Sequence, residues 1–182
     1  MVAIVSGNSL GLNLTSLRTL GQQGLTGMAT EGRNGQEAYV NVSNGNLVLQ
    51  SQDDYLEARG LDAATIRTYN SQGLLNDDNG DNWSSGAFVQ PLQLSGTLNS
   101  AGSSIRRTDR DGAAAIYNYD SGRGLYVSSD GDGAYDTIVR IPAGSQLEWR
   151  DGSTGRVERY EGSGAYRLLS SRDPSGNALT FA

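Results

Sequence analysis

The chain has 182 residues and 19.3 kDa, with 20 acidic side chains against 14 basic ones, for a net charge of −6. All 14 basic residues are Arg; Lys, His and Cys are absent. These absences exclude Ser-His-Asp and Cys-His catalysis, ordinary structural zinc, haem and iron–sulfur sites, Schiff-base or P-loop lysines, and disulfides.

The N-terminus, Met1-Val2-Ala3-Ile4-Val5-Ser6-Gly7, has no basic n-region and its apolar run stops after five residues. It is not a Sec signal peptide, and no apolar stretch approaches the roughly 18 residues that span a bilayer. A leaderless route to secretion or the cell surface is the expectation. Residues 1–37 read as a loosely ordered, Gly- and Leu-rich lead-in. Leu10, Leu14 and Leu17 are spaced for one short amphipathic helix, ended by Gly21.

Residues 38–90 begin with Tyr39-Val40-Asn41-Val42-Ser43, Asn44-Gly45, then Asn46-Leu47-Val48-Leu49-Gln50. Asn-Gly between alternating runs is a strong hairpin signal, because a type I′ turn needs positive φ at both central residues. A two-residue loop pairs Val42 with Leu47 and Val40 with Leu49. Residues 63–71, with Ile66, Thr68 and Tyr69, read as another strand. The acidic loop 76–83 follows. Asp77, Asp78, Asn79 and Asp81 offer oxygen ligands of the kind Ca²⁺ takes, but their spacing matches no EF-hand. The competing reading is a solvated turn whose Asp and Asn side chains bond their own backbone. Asp130, Asp132 and Asp136 pose the same alternative.

Residues 91–182 are periodic. Asp-Gly turn signals begin at Asp109, Asp130, Asp151 and Asp173, and second turns lie between them at Asp120-Ser121-Gly122, Pro142-Ala143-Gly144 and Glu161-Gly162-Ser163-Gly164. Short runs separate the turns: Ile116–Tyr119, Leu125–Val127, Ile138–Ile141, Leu147–Trp149, Val157–Tyr160 and Arg167–Leu169. Each unit is a strand–turn–strand pair of about 21 residues, and such a pair cannot bury its apolar face alone. The expectation is an all-β fold. Consecutive antiparallel hairpins stack into a curved sheet behind an irregular Gly-rich N-terminal segment. Val, Ile, Leu and Phe total only 37 residues beside 25 Gly, which suits short strands and many turns.

Tyr119-Asp120-Ser121-Gly122 and Tyr160-Glu161-Gly162-Ser163-Gly164, with Leu168, Leu169, Asp173-Pro174-Ser175-Gly176-Asn177 and Phe181, resemble the tyrosine–aspartate units of the Rhs, or YD-repeat, family. Asn44, Gly45, Arg67-Thr68-Tyr69-Asn70, Gly80 and Trp83 resemble the opening of such arrays, so the likeness runs over roughly residues 37–182. It implies a segment of a β-shell that encloses a C-terminal toxin. The partners it implies are the rest of the parent chain, or another copy pairing through an open edge near residues 178–182. The phrase Asp173-Pro174-Ser175-Gly176 is similar to the aspartyl autoprotease motif of that family, but Asn177-Ala178-Leu179 replaces its glycine-rich continuation. It reads as a repeat turn.

No catalytic residue and no resident cofactor is assigned. Among the many carboxylates nothing selects the pair a glycosidase needs. Nine Tyr and two Trp are compatible with a carbohydrate-binding surface, and equally with aromatics packing on a half-buried sheet. A secreted carbohydrate-binding or Ca²⁺-stabilised module is the alternative to the wall segment. The acidic balance argues against nucleic acid, and no membrane insertion is expected.

Overall fold

A computed structural model describes residues 2–5, 25–26, 36–58, 60–73, 75, 80–84, 91–128, 135–143 and 145–181. It is all-β, with no helix among the described residues. The helix expected over Leu10–Leu17 lies outside the described residues. Two compact units form. The first comprises residues 1–56, 64–90 and 109–114; the second comprises 57–63, 91–108 and 115–182.

The first unit carries a six-stranded sheet of β1 (Ala3–Val5), β2 (Leu25–Thr26), β3 (Gln36–Asn41), β4 (Leu47–Leu56), β5 (Ala63–Asn70) and β6 (Trp83–Ser84), in the order β2-β1-β3-β4-β5-β6. The lead-in thus contributes strands. β1 runs parallel to β3, with Ala3 opposite Tyr39, and Ala3 is fully buried. Ile4 and Val5, both β-branched, fit a pleated surface.

The hairpin around Asn44-Gly45 forms with a wider loop than the two-residue turn. Val40 pairs with Leu47 and Tyr39 with Val48, two residues away from the expected register. The closing bonds are Asn41 N–H to Asn46 O and Gly45 N–H to Asn41 O, both 2.8 Å. Val42 therefore sits in the turn, 62% exposed. A type I′ turn needs two residues at positive φ; here only Gly45 pays that cost, at +73°. Asn41 Oδ1 accepts from Ser43 N–H and Asn44 Oδ1 from Asn46 N–H, which stabilises the wider loop from within. Because the shift is by two, each side chain keeps its predicted face.

The second unit carries nine strands: β7 (Gln93–Ser95), β8 (Ser104–Thr108), β9 (Ala114–Asp120), β10 (Leu125–Ser128), β11 (Thr137–Ile141), β12 (Gln146–Arg150), β13 (Val157–Glu161), β14 (Leu168–Arg172) and β15 (Ala178–Thr180). Their order in the sheet is their order in the chain, and every neighbour from β9 to β15 is antiparallel. All six runs picked out by alternation fall in strands, and the stacked-hairpin architecture is as expected. The turn at Asp130 lies outside the described residues.

The turns use two related devices. At Asp120 and Asp151 the fourth residue on is a glycine, Gly124 or Gly155, at positive φ, and its N–H returns to the Asp carbonyl. At Asp109 and Asp173 the loop is one residue shorter and Gly112 or Gly176 takes that role. In each case the Asp side chain captures loop N–H groups that the ladder cannot. Asp151 Oδ1 accepts from the Ser153 and Thr154 N–H groups at 2.8 and 3.0 Å, and both hydroxyls also donate to the carboxylate at 2.7 Å. Burial raises the Asp151 pKa, but those bonds outweigh it and hold the carboxyl below its usual value. A lowered folded pKa adds stability above about pH 4 that is lost as the pH falls through the folded value. Asp151→Ala is expected to cost about 1 kcal/mol at neutral pH and less near pH 3, read from urea midpoints at the two pH values.

Candidate functional site

Register fixes which side chains of the second sheet share a face. Tyr119, Tyr126, Ile138, Trp149, Glu158, Ser171 and Leu179 form one transverse row, each opposite the next. This face is the interior. Tyr117, Tyr126, Ile138, Leu147, Trp149 and Tyr160 on it are each at most 3% exposed. The opposite face carries Glu148 and Arg159 as a cross-strand pair, with Nε–Oε2 at 3.2 Å. Such half-exposed pairs contribute little, about 0–1 kcal/mol.

The interior also holds charge. Arg107 on β8 donates through Nε to Glu158 Oε2 at 3.0 Å, and its Nη2 lies 2.9 Å from the same oxygen. Both side chains are almost wholly buried. Arg156 Nη2 reaches Glu158 Oε1 at 2.9 Å and the Tyr160 hydroxyl donates to Oε2 at 2.7 Å. The Arg107 guanidinium lies 3.8 Å from the centre of the Trp149 ring, a cation–π contact. Trp149 Nε1–H donates to Tyr117 Oη, and Tyr117 donates to Asp136 Oδ2. The chain of contacts thus runs from Asp136 to Tyr160.

This cluster reveals the curvature. β8 and β13 are five places apart in the sheet. In a flat sheet that is about 24 Å, at ~4.8 Å per strand. A 2.9 Å contact between Arg107 and Glu158 requires the sheet to curl round on itself.

The residues marked from sequence are placed as follows. Asp77, Asp78, Asn79, Asp130 and Asp132 lie outside the described residues. Asp81 Oδ1 accepts from Trp83 N–H, the turn-forming use. Asp136 Oδ1 accepts from Gly152 N–H at 2.9 Å, so both its oxygens serve the fold, and burial raises its pKa. Among the described residues no group of three or more acidic, His or Cys side chains is arranged to hold a metal. Arg67 pairs with Asp53 on the surface, and Tyr69 packs against Trp83 across β5 and β6, the rings tilted at 48° with centres 5.3 Å apart. Asn70 is fully buried; its Nδ2 donates to Asp111 O and its Oδ1 accepts from Gly73 N–H. Gly80 stands at φ +70°. Tyr119 packs on Tyr126, Asp120 caps its turn, and Asn177 is tied to Asp173 by three bonds. Tyr160 is the one signature residue inside the charged cluster. The interior roles of Arg107, Trp149 and Glu158 were missed. No local signal links Arg107 to Glu158, since 51 residues separate the two partners.

Chemically, a carboxylate clamped by two guanidiniums and a phenol holds strands together. Burial first, then the nearby carboxylate, raises the phenol pKa of Tyr117 and Tyr160. A raised folded pKa gives stability that is full below the unfolded value of about 10 and is lost as pH rises through the folded one. Alkaline unfolding is the expected result. Absorbance should report the phenols of Tyr117 and Tyr160 ionising only together with loss of the fold.

Comparisons with protein-family models, with curated proteins and with solved structures find no match to this chain. The likeness to YD repeats rests on the residue pattern alone. No helix among the described residues is long and apolar enough to cross a membrane.

Proposed function

We propose that the chain is a structural segment of an Rhs-type β-wall, secreted or at the cell surface, whose sheet encloses a toxin carried by the same polypeptide. The observation that carries this reading is the unbroken succession of nine strands, each beside its chain neighbour. Hairpins laid down in this way extend a sheet indefinitely without crossover connections, which is what a wall requires. The Asp–Gly turns and tyrosines spaced along the strands agree with the tyrosine–aspartate pattern. In this role the operative chemistry is ladder hydrogen bonding and interior packing, and no side chain turns over a substrate.

The coding sequence beyond Ala182 tests it. Further hairpin units of the same spacing, then an unrelated domain that resists protease while the wall is intact, are the expected result. A stop directly after Ala182, or a following domain digested as fast as the free domain, overturns the enclosing role.

A further inference from the structure

β15 is the terminal strand of the nine-stranded sheet, and no strand among the described residues pairs with its outer side. Its orientation can be derived. Asp173 N–H bonds Asn177 O, and Phe181 N–H bonds Leu169 O. Residues 177 and 181 therefore turn their backbone groups toward β14, and by the two-residue alternation of antiparallel ladders so does Leu179. The N–H and C=O of Ala178 and Thr180 point away from the sheet.

Charge and proline, two of the usual guards of an edge, are missing here, although the strand is only three residues long. Residues 176–181, Gly-Asn-Ala-Leu-Thr-Phe, contain no charge and no Pro. At the opposite end, β7 has Pro91 two residues before it, and in the other sheet the edge strands β2 and β6 are two residues long.

We infer that β15 is a strand-pairing edge that accepts a second copy of itself, antiparallel, with Leu179 opposite Leu179. In that register Ala178 of each chain faces Thr180 of the other. Every outward N–H and C=O of the two residues then finds its partner, in four hydrogen bonds across the two-fold axis. A slip of one residue sets Ala178 and Thr180 against residues whose backbone groups face β14, and all four bonds are lost. The side-chain pattern agrees. Leu179 ends the interior row that begins at Tyr119, so apolar surface continues across the junction. Ala178 and Thr180 are exposed on the outer face. So short a strand buries far less than the roughly 1,200 Å² of a stable pair, so the association is weak. With −6 on each chain, salt strengthens it by screening.

This inference concerns the 182-residue chain by itself; in the continuous wall proposed above, the next hairpin would take the same edge, so the dimer can fail without touching that reading. The test uses the 182-residue chain, which has no cysteine of its own. Opposed residues of a non-hydrogen-bonded pair lie about 4.5 Å apart at Cα, inside the disulfide range. Leu179→Cys should form a cross-linked dimer under mild oxidation, and Ala178→Cys mixed with Thr180→Cys should form the heterodimer. Ala178→Cys alone should cross-link several-fold less. In sedimentation the parent chain should show a concentration-dependent dimer that rises with salt and is lost in Thr180→Pro, which deletes one outward N–H. Far-ultraviolet circular dichroism of Thr180→Pro distinguishes lost pairing from lost folding. A strictly monomeric parent chain at high concentration, or equal cross-linking at residues 178 and 179, overturns the inference.

Discussion

Glu158→Gln is expected to lower the unfolding free energy by about 3–5 kcal/mol, the range for removing one partner of a buried ion pair. The glutamine keeps the shape of the side chain but not its charge. Arg107, only 6% exposed at its side chain, is left in the interior with its neutralising carboxylate gone. Arg156 can swing toward water, being 35% exposed, but Arg107 is covered by Trp149. The single carbonyl oxygen of the glutamine cannot replace both carboxylate oxygens, one of which takes Arg107 and the Tyr160 phenol and the other Arg156. The double replacement Arg107→Met with Glu158→Leu behaves differently. Removing both charges together removes both desolvation costs, so the double variant should lie within about 1–2 kcal/mol of the parent, or above it. Urea unfolding of the parent and of the two variants checks this. Equal losses for the single and double changes would mean that the pair is not the interior link described here.

Trp149→Ala is expected to cost about 3–5 kcal/mol, as for other large aromatic truncations in cores. Three separate losses contribute. The indole is 3% exposed and fills the centre of the curled sheet. Its ring face carries the Arg107 guanidinium, and its Nε1–H satisfies the Tyr117 hydroxyl oxygen at 3.0 Å. Trp149→Phe keeps a ring under the guanidinium and removes mainly the donor and part of the volume, so about 1–3 kcal/mol is expected. The difference between the two variants measures packing and cation–π together. Arg107 and Glu158 adjoin Trp149, so these effects are not additive, and each variant is compared with the parent alone.

What was legible in the sequence followed from local chemistry. Asp120-Ser121-Gly122 and Asp151-Gly152 marked where the chain turns, although the glycines that take positive φ are Gly124 and Gly155, two and three residues further on. Alternation of apolar residues between such turns identified every strand from β9 to β14. What was not legible depended on distance. The curl of the sheet is carried by Arg107 and Glu158, and nothing within a window of either residue announces the other. The same holds for two glycines. Gly162 read only as part of a turn, yet a Cβ there would stand 2.1 Å from Ser145 O; a Cβ on Gly152 would stand 2.3 Å from Tyr135 O. Both are required by the close approach of another stretch of backbone, not by their own φ. The Asn44-Gly45 hairpin was half legible. The dipeptide marked the reversal, while Asn41, three residues earlier, chose the longer loop by bonding Ser43. Asp136 looked like a ligand beside Asp130 and Asp132. Its two bonds, to Gly152 and Tyr117, come from residues 16 and 19 positions away.

The central claim is that the nine consecutive strands curl until β8 meets β12 and β13 across a filled interior. Nuclear Overhauser contacts in the isotope-labelled chain measure it directly. The account predicts side-chain contacts from Arg107 to Trp149 and Tyr160, alongside backbone contacts between Ile138 and Trp149 and between Trp149 and Glu158. Backbone contacts of that register with none from Arg107 to β12 or β13 would describe a flat sheet and contradict it.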